Sequence, residues 1–122
     1  MKVRNFRDST LARGLFWAVL VFAFVMAVLP HPPRVPGDPS DKIQHIAAFA
    51  TLGALGALAY ASASTLRLIV GLSVFGALIE IVQAVPMLHR DSDPLDWVAD
   101  TVACGTVLIA LAWWRRRSAD TT

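Results

Sequence analysis

Four apolar runs dominate the chain, over residues of about 11–29, 43–62, 66–85 and 95–114. Each falls in the range of roughly 17–25 residues that crosses the hydrocarbon core of a bilayer as an α-helix. Inside lipid no water is present to satisfy backbone N–H and C=O groups, so an isolated apolar run of this length is forced into a helix. Composition agrees: 56% of the 122 residues are hydrophobic and only 16% are charged, against about 45–50% and about 25% in a soluble domain. The runs predict an all-α, four-transmembrane-helix bundle, folded as a single domain over residues 1–122.

The first run has a basic start and could be mistaken for a secretory signal. It lacks a small-residue cleavage site before Pro30 and further spans follow, so it reads as an uncleaved first helix, with Arg13 snorkelling to the headgroups. The breaks between runs carry turn chemistry. The prolines from Pro30 to Pro39 cannot continue a helix. Ser40 or Asp41 can cap the second helix. Ser62 to Thr65 form a tight turn, Pro86 ends the third helix, and Asp93-Pro94 opens the fourth, with proline at its first position. The single cysteine, Cys104, lies in an apolar stretch and reads as a packing residue.

Basic residues set the expected orientation. Lys2, Arg4, Arg7, Arg13, Arg67, Arg115, Arg116 and Arg117 fall on one side, whereas Arg34, Lys42 and Arg90 fall on the other. With four spans, both termini lie on the same side and are expected to be cytoplasmic. Trp113 and Trp114 suit that interface, and Trp97 reads as an interfacial anchor at the opposite face. Topology accounts for the basic residues and no basic soluble module accompanies them, so membrane lipid rather than nucleic acid is the expected partner. His31 and His89 fall in connections and read as solvated.

Ionisable groups inside spans cost at least about 2.5–3.5 kcal/mol each at the helix centre, so a chain this apolar keeps them for pairing or for use. Asp41 and His45 share one helical face at i, i+4. Glu80 and Gln83 share another at i, i+3, with Ser73 and Gly76 on the same stripe. Asp96 and Asp100 share a third at i, i+4, with Asp93 beside them. Glu80 lies roughly 9 Å below the end of its helix, and Asp100 a similar distance below the start of its own. Three helices therefore bring polar groups to one depth, which predicts a shared polar pocket opening away from the basic side. Helix one contributes no polar residue and reads as a brace. Small residues on the other three (Gly53, Gly56 and Ala57; Gly71 and Gly76; Ala99, Ala103 and Gly105) favour close packing.

Asp41-Lys42-Ile43-Gln44-His45, then Glu80-Ile81-Val82-Gln83, then Arg90, Asp93, Asp96 and Asp100 resemble the signature of the VanZ-like family of bacterial membrane proteins. The resemblance covers about residues 41–105 by motif and the whole chain by span count. It implies a multi-pass inner-membrane protein in an envelope setting, with a link to teicoplanin-type glycopeptide resistance. It also implies that Asp41, His45, Glu80, Gln83, Arg90, Asp93, Asp96 and Asp100 are the site residues. The family often has Asn where this chain has Asp100, so the resemblance does not require a carboxylate there.

Four uses of these residues remain open. They can pair with one another and lock the bundle, with His45 bridging Glu80 and Arg90 meeting Asp93 or Asp96. They can bind the headgroup of an envelope lipid, amphiphile or lipid-linked precursor, Arg90 offering a bidentate contact to phosphate or carboxylate. His45, Glu80 and Asp100 can serve as acid and base in an enzyme, although no Ser or Cys nucleophile stands in register with His45. The carboxylates can hold a hard cation, although no ligand spacing names a metal, and neither metal nor cofactor is expected. Headgroup binding is the reading adopted. The orientation makes a direct prediction: a reporter fused behind Arg117 reads as cytoplasmic, and a periplasmic reading overturns the outward-facing pocket.

Overall fold

The computed structural model describes residues 6–29, 37, 41–88 and 93–120. Its four long helices are α1 (Phe6–Val28), α2 (Asp41–Ala59), α3 (Thr65–Gln83) and α4 (Pro94–Asp120), with a short 3-10 turn at Pro86–Leu88 between α3 and α4. All four are long and apolar enough to cross a membrane, the architecture of a multi-pass membrane protein. Between 11% and 33% of each span is buried in the bundle. The remainder presents side chains such as Val21, Phe22, Leu66, Val74, Ile81, Val102 and Ile109 outward, an apolar surface that lipid rather than water would cover.

Local chemistry accounts for the boundaries. Ser64 caps α3, its hydroxyl accepting from the Arg67 N–H at 3.1 Å. Asp93 does the same for α4, Oδ1 accepting from the Leu95 N–H at 3.0 Å. α2 stops at Ala59, three residues short of the end expected from the apolar run. Arginines from two other helices capture its last carbonyls: Arg13 Nε donates to the Ala59 oxygen at 3.1 Å, and Arg115 Nη2 to the Ala57 oxygen at 3.0 Å. Cations there also complement the negative end of the helix dipole. Arg13, itself exposed, also stacks over the Tyr60 ring. α4 continues six residues past Trp114, because its arginines are good helix formers and no proline or glycine interrupts them.

The helices alternate in direction. Residue pairs ascend together along α2 and α4 (Lys42 with Asp96, His45 with Asp100, Gly53 with Cys104, Ala57 with Arg115), so these two run parallel and pack on each other. α1 and α3 run the other way. Arg13, Arg67 and Arg115 to Arg117 thus gather at one end, here the basic end. The start of α2, the end of α3 and the start of α4 meet at the other, the polar end.

The core lies between them. Phe49, Leu52, Ile79, Cys104 and Leu108 are fully enclosed, and Phe24, Phe75 and Phe49 form a chain of tilted rings through the middle. Close approach depends on missing side chains at Gly53, Gly56 (where a Cβ would lie 3.3 Å from the Phe16 ring) and Gly76. A Cβ at Gly53 would lie 3.2 Å from the Cys104 carbonyl oxygen, and one at Gly76 would lie 3.3 Å from the Trp97 ring and 3.4 Å from Phe49. By contrast, nothing lies within 4 Å of a Cβ at Gly71. Gly53→Ala should therefore force two helix backbones apart and lower stability by about 1–3 kcal/mol. Gly71→Ala should leave it unchanged or raise it by up to about 1 kcal/mol. Thermal unfolding in detergent measures both, and equal effects at the two positions would contradict this packing.

Candidate functional site

At the polar end each helix adds one part of a polar cluster. α2 presents Lys42 and His45 on successive turns, and α4 presents Asp96 and Asp100 in the same register. Because the two helices are parallel and close, these residues meet as two rungs. The outer rung is the ion pair from Lys42 Nζ to Asp96 Oδ1 at 3.6 Å. The inner rung joins His45 Nδ1 to Asp100 Oδ2 at 3.3 Å. With Asp100 ionised, Nδ1 carries the proton and donates; with Asp100 protonated, the roles reverse. Burial deepens along the rungs: the side chains are 49% exposed at Lys42, 15% at Asp96, 12% at His45 and 1% at Asp100. The outer pair, part solvated, is worth about 0–1 kcal/mol.

α3 supplies the opposite wall. Glu80 Oε2 accepts from the Asp93 backbone N–H at 2.9 Å, which ties the end of α3 to the start of α4 across the intervening loop. Gln83 Nε2 donates to the Ala27 carbonyl at 2.8 Å. That carbonyl is one of the last four of α1, which have no partner within their own helix. Helix one thus takes part through its backbone, where it was expected only to brace. Asp96 and Glu80 also lie within electrostatic reach of the His45 ring.

A second polar layer sits deeper between α3 and α4. The Ser73 and Thr101 hydroxyls lie 3.0 Å apart. Trp97 Nε1 donates to the Ser73 carbonyl at 2.9 Å, with the indole still partly exposed on the outer surface. Buried Cys104 packs against Gly53, the packing role read from sequence.

His45, Glu80, Gln83, Asp93, Asp96 and Asp100 are all brought to this end, but not in every pairing expected. His45 bridges to Asp100, the other helix in parallel register, where a bridge to Glu80 was anticipated. Asp96 takes Lys42. Asp41 opens the backbone of α2, but its side chain is not described, and Ser40, Arg90, His31 and His89 also lie outside the described residues. Sequence reading missed Lys42 as a partner of Asp96, and it missed Thr101. Lys42 and His45 stand three apart and Asp96 and Asp100 four apart, so each pair shares a helix face, but only the parallel register of α2 and α4 turns the two faces into rungs. Among the described residues, no group of three or more His, Cys, Asp or Glu comes together as a metal site.

Two buried oxygens in the cluster, Gln83 Oε1 and Asp100 Oδ1, accept no hydrogen bond from any described residue. Gln83 is 3% and Asp100 1% exposed, and an acceptor left unmade in such a place costs about 1–3 kcal/mol.

Comparison with family models, curated proteins and solved structures finds no match for this chain.

The rungs predict a measurable coupling. In a double-mutant cycle on His45→Ala and Asp100→Ala, the pair should couple by about 0.5–2 kcal/mol, read from unfolding in detergent. Additive losses would show that the two side chains do not depend on each other.

Proposed function

We propose that this chain is a VanZ-like inner-membrane protein, with both termini cytoplasmic, that binds the polar headgroup of an envelope lipid, amphiphile or lipid-linked precursor at the polar end of the bundle. The observation that supports the reading is the pair of buried acceptors, Gln83 Oε1 and Asp100 Oδ1, that meet no donor among the described residues. A headgroup carrying hydroxyl or amide N–H groups supplies what they lack. The gradient of burial from Lys42 inward to Asp100 favours a ligand that enters from the end of the bundle, with Lys42 offering charge to a phosphate or carboxylate at the rim. The link to teicoplanin-type resistance rests on the motif resemblance alone.

One observation favours a second reading. The bonds from His45 to Asp100, from Gln83 to Ala27 and from Glu80 to Asp93 each join separate segments, so the cluster can serve as a lock for the bundle. An enzymatic reading is confined to acid–base chemistry by His45, Glu80 and Asp100, since Cys104 is enclosed and Ser73 is engaged with Thr101.

Lipid retention separates the readings. Wild-type protein purified in mild detergent should carry a polar amphiphile enriched over bulk phospholipid, identified by mass spectrometry. His45→Ala and Gln83→Ala should each lower that retention at least about fivefold, the loss expected of a removed charge-assisted or buried hydrogen bond. Unchanged retention with a lowered unfolding midpoint would leave the lock and remove the binder. Glu80→Gln should keep most of the binding. If wild type consumed the retained lipid and Glu80→Gln did not, acid–base catalysis would replace binding as the function.

A further inference from the structure

The basic end holds a second feature, unconnected with the polar cluster. α1 and α3 diverge there and leave a groove of about 230 Å³ lined by Phe16, Trp17, Leu20, Tyr60, Arg67 and Leu68, with Gly71 and Leu72 along its inner wall. Trp17, Arg67 and Gly71 are exposed, so the groove opens on the outer surface of the bundle. Gly71 keeps it open, since nothing lies within 4 Å of where its Cβ would stand.

Depth along α3 sorts the lining by chemistry. Arg67 is the third residue of the helix, roughly 3 Å from its start, and Gly71 lies about 6 Å further in. The cation is thus level with headgroups while the apolar walls are level with acyl chains. Three other arginines at this end are engaged within the protein. Arg13 and Arg115 donate to α2 carbonyls, and Arg117 stacks on Trp113 at 4.8 Å. The Arg67 guanidinium makes no hydrogen bond or ion pair with any described residue. Beside it, Trp17 Nε1 donates to the Tyr60 hydroxyl oxygen at 2.7 Å. That oxygen accepts, so its own proton is left to donate elsewhere. The mouth therefore offers one uncommitted cation and one hydroxyl donor above an apolar slot.

We propose that this groove is a binding site for an anionic phospholipid, with one acyl chain against Leu20, Gly71 and Leu72 and the phosphate on Arg67 and the Tyr60 hydroxyl. Charge complementarity selects the occupant. A guanidinium pairs well with a phosphate, and a zwitterionic lipid brings a second cation to the same mouth. An apolar slot continuous with the lipid-facing surface suits an acyl chain better than a free anion.

The test uses full-length protein in micelles supplied with equal phosphatidylglycerol and phosphatidylcholine, with bound lipids counted by native mass spectrometry. Wild type should retain phosphatidylglycerol on the order of fivefold over phosphatidylcholine, the discrimination expected of one interfacial arginine. Arg67→Gln should abolish the preference, and Arg117→Gln, which removes the same charge from an engaged residue, should keep it. Gly71→Leu puts a side chain into the slot from a position whose Cβ would meet nothing within 4 Å, and should lower retention of both lipids. The site is overturned if wild type shows no preference, if Arg67→Gln retains it, or if Arg67→Gln and Arg117→Gln lower it equally. The same holds if Gly71→Leu, with an unchanged unfolding midpoint, retains both lipids as wild type does.

Discussion

Contact between the backbones of α2 and α4 at Gly53 and Cys104 sets the distance on which the rest of the bundle depends. Lipid offers no hydrophobic drive for helices to associate, so close approach and the dispersion contacts it allows must hold them together. With no side chain at Gly53, the parallel pair comes near enough for His45 to reach Asp100 and for Lys42 to reach Asp96 one turn outward. At the opposite end the same approach lets Arg115 reach the Ala57 carbonyl. A wider spacing would leave the carboxylates of α4 buried without cationic partners, at a cost of several kcal/mol per ion.

The two ends of the bundle treat polar groups differently. At the basic end, arginines satisfy carbonyls that a terminating helix leaves open, and their surplus faces the headgroups. At the polar end, side chains from α2, α3 and α4 and a carbonyl from α1 satisfy one another down to Asp100 and Gln83, where two acceptors remain. A cluster built only to lock helices would be expected to close on itself, and this one stops short of closure. That remainder is the observation on which the proposed binding role rests, and it is what the lipid-retention experiment probes.

Much of the fold was legible in the sequence because membrane solvation imposes a simple rule. An apolar run of about 20 residues must be a helix, and Pro86, Asp93-Pro94 and the Ser62 to Thr65 turn marked where helices stop and start. Boundaries strayed where side chains from elsewhere intervened, as when Arg13 and Arg115 ended α2 at Ala59. The depth of the site was legible too, since rise per residue converts position into depth and brought Glu80 and Asp100 to one level.

By itself the sequence determined four helices, the gathering of basic residues at one end, and the convergence of polar residues from α2, α3 and α4 on the other. These follow from local properties: apolar length, helix period and charge placement. Only the tertiary structure decided the partners. That His45 bonds to Asp100, that Gln83 reaches back to α1, and that Arg13 bonds to the last carbonyl of α2 all depend on which helices touch and in what direction. Spacing along one helix says which residues share a face; it is the packing of one face on another that chooses what each residue meets.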